Sequence, residues 1–304
     1  MKLKRRQFLF FGSLSAIGVG FLSLLGRRTS TNTHTAAALK TAEVPIPDDE
    51  LLLRFVSVAD TGTGDRGQYA VAGAMAQYHS QHPYNLVVLA GDNIYVDGEI
   101  EKINAVFERP YAPLLKQGVK FQAVLGNHDI RTANGEPQLK YLGFNMKGRF
   151  YTFRRDRVQF FALDTNNNAD WEKQLKWLEQ ELSASNAPWK IVFGHHPVYA
   201  SGVYGSNPAF IKTFTPLFQK YGVQLYINGH EHHYERTRPI NGTTYLICGG
   251  GAGTRQVGNS TWTEYSASKL SFAAYEVYAD RIEISGIGTD NRVFDKGIIP
   301  IKSA

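Results

Sequence analysis

Five times between residues 51 and 232 a short apolar run stops, and a residue able to bind a metal ion follows within three positions. The run at 51–59 gives way to Asp60-Thr61-Gly62, that at 85–90 to Gly91-Asp92-Asn93-Ile94-Tyr95, and that at 119–125 to Gly126-Asn127-His128-Asp129. The run at 190–193 precedes Gly194-His195-His196-Pro197, and that at 224–227 leads to Gly229-His230-Glu231-His232. Apolar runs of this length between glycine and polar residues read as buried strands. Helical periodicity at 68–79, 101–115, 169–183 and 209–221 lies between them. A hairpin is expected from 149–153 and 158–163 through Arg155-Asp156, and strand-like runs recur at 245–248, 272–278 and 281–285. The reading is one α/β domain over 51–304, large enough for two packed sheets, behind a polar linker at 39–50 that contains Pro45 and Pro47. Loops at the carboxyl ends of strands are where such folds gather their sites, so one rim should collect all five motifs.

Composition narrows the partners. Hydrophobic residues make up 43% of the 304, which supports a buried core and excludes a disordered chain. The formal charge of +6 belongs to the first 38 residues, where Lys2, Lys4, Arg5, Arg6, Arg27 and Arg28 stand without an acid. The remainder is balanced and gives no reason to expect nucleic acid as a partner. That basic start precedes a mildly apolar run at 8–25 and resembles a twin-arginine export signal, with Ala36-Ala37-Ala38 as a cleavage site. The rival reading is an uncleaved anchor, because 18 residues approach the roughly 20 that span a bilayer. Export to the periplasm or medium, through the machinery that reads such leaders, is the expectation. Cys248 is the one cysteine, so no internal disulfide forms, and its apolar neighbours mark it as a small core residue.

Asp60, Asp92, Tyr95, Asn127, His195, His230 and His232 offer carboxylate, phenol, amide and imidazole donors without a thiolate. Such a set suits hard to borderline ions and excludes a Cys-rich structural zinc site. Seven donors are too many for one ion but suit two that share a carboxylate. Of nine histidines, six fall within three of the motifs, whereas His34, His79 and His82 read as ordinary polar residues.

In this order and spacing the motifs resemble those of the calcineurin-like metallophosphoesterases. Asp60-Thr61-Gly62 in place of Asp-x-His, with Tyr95 three residues after Asp92, is the purple acid phosphatase variant. The resemblance implies a four-layer α/β/β/α sandwich of two mixed sheets flanked by helices. It further implies that Asp60, Tyr95 and His232 hold one ion, that Asn127, His195 and His230 hold the other, and that Asp92 bridges them, with the ions about 3.5–4 Å apart. A phenolate at Tyr95 requires a strongly acidifying ion, because free tyrosine titrates near pH 10, and this points to Fe(III) there. The second ion is then Fe, Zn or Mn.

The activity implied is hydrolysis of a small phosphomonoester by metal-bound hydroxide, with unligated His128 as general acid and Asp129 orienting or charging it through a hydrogen bond. Alternatives are a phosphodiesterase or nucleotidase on the same ions, and, from another class, an exported iron-binding or redox protein. His196 is read as a substrate-pocket residue, His233 as support for the ligands, and Arg236 as structural. The loops at 199–207 and 249–253 either shape the pocket or simply connect elements.

Overall fold

Successive side chains of β1 (Leu53–Val58) divide between two apolar surroundings: Leu53 and Phe55 face one core, Val56 and Val58 another. In β2 (Leu86–Leu89) Leu86 and Val88 separate in the same way from Val87 and Leu89. A strand with no polar face must be covered on both sides, and the period of two fixes which residue goes where. The computed structural model describes residues 49–301, so the expected leader at 1–38 and the linker up to residue 48 lie outside the described residues.

Strands β1, β2 and β3 (Lys120–Ala123) are parallel neighbours. The chain then builds a second sheet from β4 (Tyr151–Arg155), β5 (Val158–Ala162), β6 (Trp189–Phe193), β7 (Leu225–Asn228), β8 (Tyr234–Thr237), β9 (Thr244–Cys248) and β10 (Thr263–Ala267), in the order β10-β8-β9-β7-β6-β5-β4. Strands β11 (Ser271–Val277), β12 (Arg281–Gly288) and β13 (Val293–Pro300) return to the first sheet, giving β13-β12-β11-β1-β2-β3. Both sheets are mixed: the parallel strands β1, β2 and β3 form one side of the first sheet and end at its edge, and β9, β7, β6 and β5 form the parallel centre of the second.

Phe55, Leu86 and Val88 of the first sheet share one core with Phe160, Ile191 and Ile227 of the second, so the sheets pack face to face. Helices α1 (Arg66–Gln81) and α2 (Ala112–Lys116) cover the outer face of the first sheet through Val71, Met75 and Leu114. After the short α3 (Glu136–Lys140), helices α4 (Trp171–Ala184) and α5 (Pro208–Tyr221) cover the second through Leu178, Leu182, Phe214 and Phe218. The four-layer α/β/β/α arrangement is therefore present. Local signals agree with it. Asp65 caps α1 by accepting from Gly67 and Gln68, and Asn207 caps α5 by accepting from Ala209 and Phe210 ahead of Pro208 at the first turn. Among the described residues no helix is long and apolar enough to cross a membrane.

Three expectations need correction. The helix expected at 101–115 is broken into a 3₁₀ turn at Ile100–Lys102, a π turn at Asn104–Glu108, and α2. Pro110 has no N–H to continue the ladder, Arg109 N bonds back to Asn104 O, and Pro113 fits only the first turn of a new helix. Strand β8 forms where no strand is expected from the sequence, its buried Glu235 being satisfied by Ser201 and Thr263. Strands β10 and β13 were also unexpected, since Glu264, Asp295, Lys296 and Gly297 interrupt any simple alternation.

Candidate metal centre

The five motifs follow the carboxyl ends of β1, β2, β3, β6 and β7, all parallel strands of the two packed sheets. The loops are tied to one another by their backbones. Asp60 N donates to Gly91 O at 3.0 Å and Thr61 N to Asp92 O at 3.2 Å, while His230 N donates to the Asp60 carboxylate at 2.9 Å. Asp60, Asp92 and His230 take left-handed φ of 57, 52 and 70°, which turns each side chain off its strand into the cluster. The glycines before the motifs answer to crowding. A Cβ at Gly126 would fall on the Asp92 carboxylate, and one at Gly229 on that of Asp60; neither glycine needs a positive φ. Of the glycines that open the motifs, Gly91 alone takes a positive φ, 89°.

Two groups of donors meet at one oxygen. Tyr95 OH stands 2.8 Å from Asp92 Oδ2, 3.1 Å from Asp60 Oδ1 and 3.2 Å from His232 Nε2. Asn127 Oδ1 lies 3.1 Å from His195 Nε2 and 2.9 Å from His230 Nδ1. Asp92 Oδ2 faces both, being also 3.5 Å from His195 Nε2, while its Oδ1 accepts the His128 N–H at 2.9 Å. His195 Nδ1 donates to Ala90 O at 3.0 Å, which leaves Nε2 as a lone pair pointing at the cluster.

The electrostatics fit a pair of cations. Burial and the adjacent Asp92 hold the Asp60 carboxyl well above the usual carboxylate range, so the two acids repel unless positive charge joins them. Burial lowers His195 to about 3, His230 to about 2 and His232 to about 4. These imidazoles are neutral donors well into the acid range, where protons do not yet compete for the nitrogen. Burial and the two carboxylates raise the Tyr95 phenol far up, so a phenolate forms only when a cation outweighs both acids. Carboxylate, amide oxygen, neutral imidazole and phenol converging without thiolate are the chemistry of a two-ion site.

The residues beside the cluster differ more from expectation. The Asp129 carboxylate does not bond His128. It is buried and accepts N–H groups of Asn93, Ile94 and Gly126 together with the amides of Asn93 and Gln138, so it braces the loop carrying Asp92 and Tyr95. His128 is oriented instead by Val96, whose carbonyl accepts from Nδ1 at 2.6 Å, and Nε2 lies 4.0 Å from Asp92 Oδ2. His196 faces the cluster although it adjoins His195, because β6 ends at Phe193 and strand alternation ends with it; its ring centre is 4.5 Å from that of His230. Thr165, which follows β5 and was missed, accepts the backbone N–H of both His195 and His196. Its hydroxyl proton is then free for His196 Nδ1 at 3.0 Å, which makes His196 Nε2 an N–H donor. His233 is buried behind the ligands against Glu235, and Arg236 pairs with Asp295 at 2.7 Å, away from the cluster.

Residues 53–234 match the model of the calcineurin-like phosphoesterase family, and the chain belongs to that family. Its similarity is to the purple acid phosphatase branch. It is 30% identical to purple acid phosphatase 7 of Arabidopsis thaliana, over 66% of this chain and 70% of that protein. It is 28% identical to tartrate-resistant acid phosphatase type 5 of Oryctolagus cuniculus, over 72% of this chain and 77% of that one. In fold it matches the purple acid phosphatase from yellow lupin seeds with a TM-score of 0.71 at 20% identity, over 84% of this chain and 55% of that one. The chain is thus a phosphoric ester hydrolase, and its family implies a dinuclear site, for which His195, His196 and His230, and Asp60, Asp92 and His195, form candidate ligand groups.

Proposed function

We propose that the protein is an exported, metal-dependent acid phosphatase that hydrolyses phosphomonoesters at two ions, Fe(III) beside Tyr95 and a divalent Fe, Zn or Mn ion beside His195 and His230. Asp60, Tyr95 and His232 would hold the first, Asn127, His195 and His230 the second, and Asp92 both. The observation that carries this reading is the position of Asp92 Oδ2, within 2.8 Å of Tyr95 OH and 3.5 Å of His195 Nε2. When bound, such ions supply Lewis acidity to the phosphoryl oxygens and to water. The chain supplies the rest. His196 offers an Nε2–H to a phosphoryl oxygen, and His128, anchored through Nδ1, would in its imidazolium form present Nε2–H for transfer of a proton to the departing oxygen. The neutral imidazoles support activity on the acid side.

Elemental analysis with a visible spectrum is the test. Two metal ions per chain and a violet to pink colour that disappears in Tyr95→Phe are expected. A colourless, fully active protein holding only Zn or Mn rejects Fe(III) while leaving the hydrolase intact, and faster turnover of bis(p-nitrophenyl) phosphate than of p-nitrophenyl phosphate rejects the monoester preference. Export rests on Arg5 and Arg6: replacing both by lysine should retain the precursor inside the cell, and undiminished export removes the twin-arginine reading.

A further inference from the structure

Two buried acids behind the last motif hold a loop over the site. Glu231 accepts the backbone N–H groups of Val203, Tyr204 and Gly205, and Glu235 accepts the N–H and hydroxyl of Ser201. Gly202 permits the approach, since a Cβ there would meet the side chains of Glu231 and His233. Pinned in this way, the Tyr204 ring stacks on His230, with centroids 4.7 Å apart and planes at 27°. The Arg255 guanidinium lies 5.0 Å from the Tyr204 ring centre, and its Nη1 stands 3.4 Å from His230 O. The backbone completes the fixation, Arg255 N donating to His232 O at 2.7 Å.

Arg255 differs from the other cations around the cluster. Lys102 pairs with Glu99 and Arg131 with Asp97, whereas Arg255 has no carboxylate partner among the described residues. Its charge is nevertheless felt at Asp60, His230 and His232. Asp60, Asp92 and His195 are buried, whereas His230, His232 and Arg255 are half-buried and Tyr204 is 58% exposed, so the guanidinium stands beside the outer donors, on the side of the cluster that opens to solvent. A planar fork held in this way matches the oxygens of a second acid.

We propose that Arg255, held against Tyr204, anchors a second anionic group on the leaving side of the substrate, a further phosphate or a carboxylate. The proposal rests on the phosphatase reading. Calorimetric titration of the metal-loaded protein with methylphosphonate, methylenediphosphonate and phosphonoacetate tests it without turnover. Wild type should bind one of the two probes that carry a second acid group about 10- to 100-fold more tightly than methylphosphonate, the scale of one charge-assisted pair. Preference for the diphosphonate identifies a phosphate, and preference for phosphonoacetate a carboxylate. Arg255→Ala should lower that ratio about tenfold or more, with Arg255→Lys in between because it keeps the charge and loses the fork. Tyr204→Ala should lower the ratio and Tyr204→Phe preserve it, which also covers failure of Arg255→Ala to fold. Weakening of all three probes by one factor, or an unmoved ratio, overturns the proposal alone. Failure of wild type to bind methylphosphonate, together with failure to hydrolyse p-nitrophenyl phosphate, overturns the phosphatase reading and this inference with it.

Discussion

Asp92→Asn lowers turnover of p-nitrophenyl phosphate by about 10³-fold or more, cuts metal content, and raises the melting temperature of the metal-stripped protein. The three effects share one cause. Asparagine keeps the shape, and its amide oxygen can still accept the His128 N–H that Asp92 Oδ1 accepts at 2.9 Å. The charge is lost, and so is the acceptor at Oδ2, the one position facing both Tyr95 and His195. Removing a single preorganised charge-stabilising group commonly costs about 10²–10³ in rate, and this group also holds the ions that stabilise the rest. Without metal the sign reverses. Asp60 is buried against Asp92, so neutralising Asp92 relieves a like-charge contact that the His230 N–H, the Tyr95 hydroxyl and Arg255 offset only in part. A rise of a few degrees is expected, since each kcal/mol gained shifts the midpoint by about 2–4 °C in a domain of this size. Metal then stabilises the variant less than wild type, because only wild type gains strongly from binding. Turnover assays, elemental analysis and melting curves with and without chelator separate the outcomes. Retained turnover, or full metal content, rejects Asp92 as the shared ligand.

The five motifs were legible because each is local, a strand followed at once by its ligand, and because parallel strands direct their carboxyl ends to one rim. Thr165 obeys the same rule after β5, at the end of Leu163-Asp164-Thr165, and could have been found as a sixth instance; a hydroxyl simply does not advertise itself as a donor. Asp129 shows where adjacency misleads. Next to His128 in the chain, it turns the other way because five N–H groups, three of them on the backbone, outweigh a single imidazole. Burial and Asp92 raise it to about 7 against those donors, so its position is held by hydrogen bonding in spite of the local charge. The broken segment at 101–115 failed for another reason: apolar periodicity outvoted two prolines, although Pro110 could not donate within a helix. Arg255 had no local signal. It lies beyond two further strands from His232, and only the return of the chain across β9 brings it to the site.

His128→Asn lowers kcat for an alkyl phosphate by about 10²–10⁴, the range of general acid help, and for p-nitrophenyl phosphate by far less. The difference follows from the leaving group. An alkoxide departs poorly without a proton, whereas p-nitrophenolate is weakly basic and departs without one. Geometry places the donor: Nδ1–H is committed to Val96 O at 2.6 Å, the ring rests 4.5 Å from that of Tyr95, and Nε2 is the nitrogen left facing Asp92, where the imidazolium form carries its second proton. Asparagine can keep the bond to Val96 and so leave the loop in place, but it offers no exchangeable proton at Nε2. One contact opposes the role, since Arg131 Nη2 stands 3.4 Å from Nε2 and would donate to it. That bond is long, and the same guanidinium also reaches Val96 O at 3.3 Å and Asp97 at 3.5 Å, so it has other places to go when a departing oxygen needs the nitrogen. Equal losses on the two esters would mean that His128 holds the phosphoryl group and that the departing oxygen takes its proton from elsewhere. His196, fixed as a donor by Thr165, is then the residue on which to repeat the comparison.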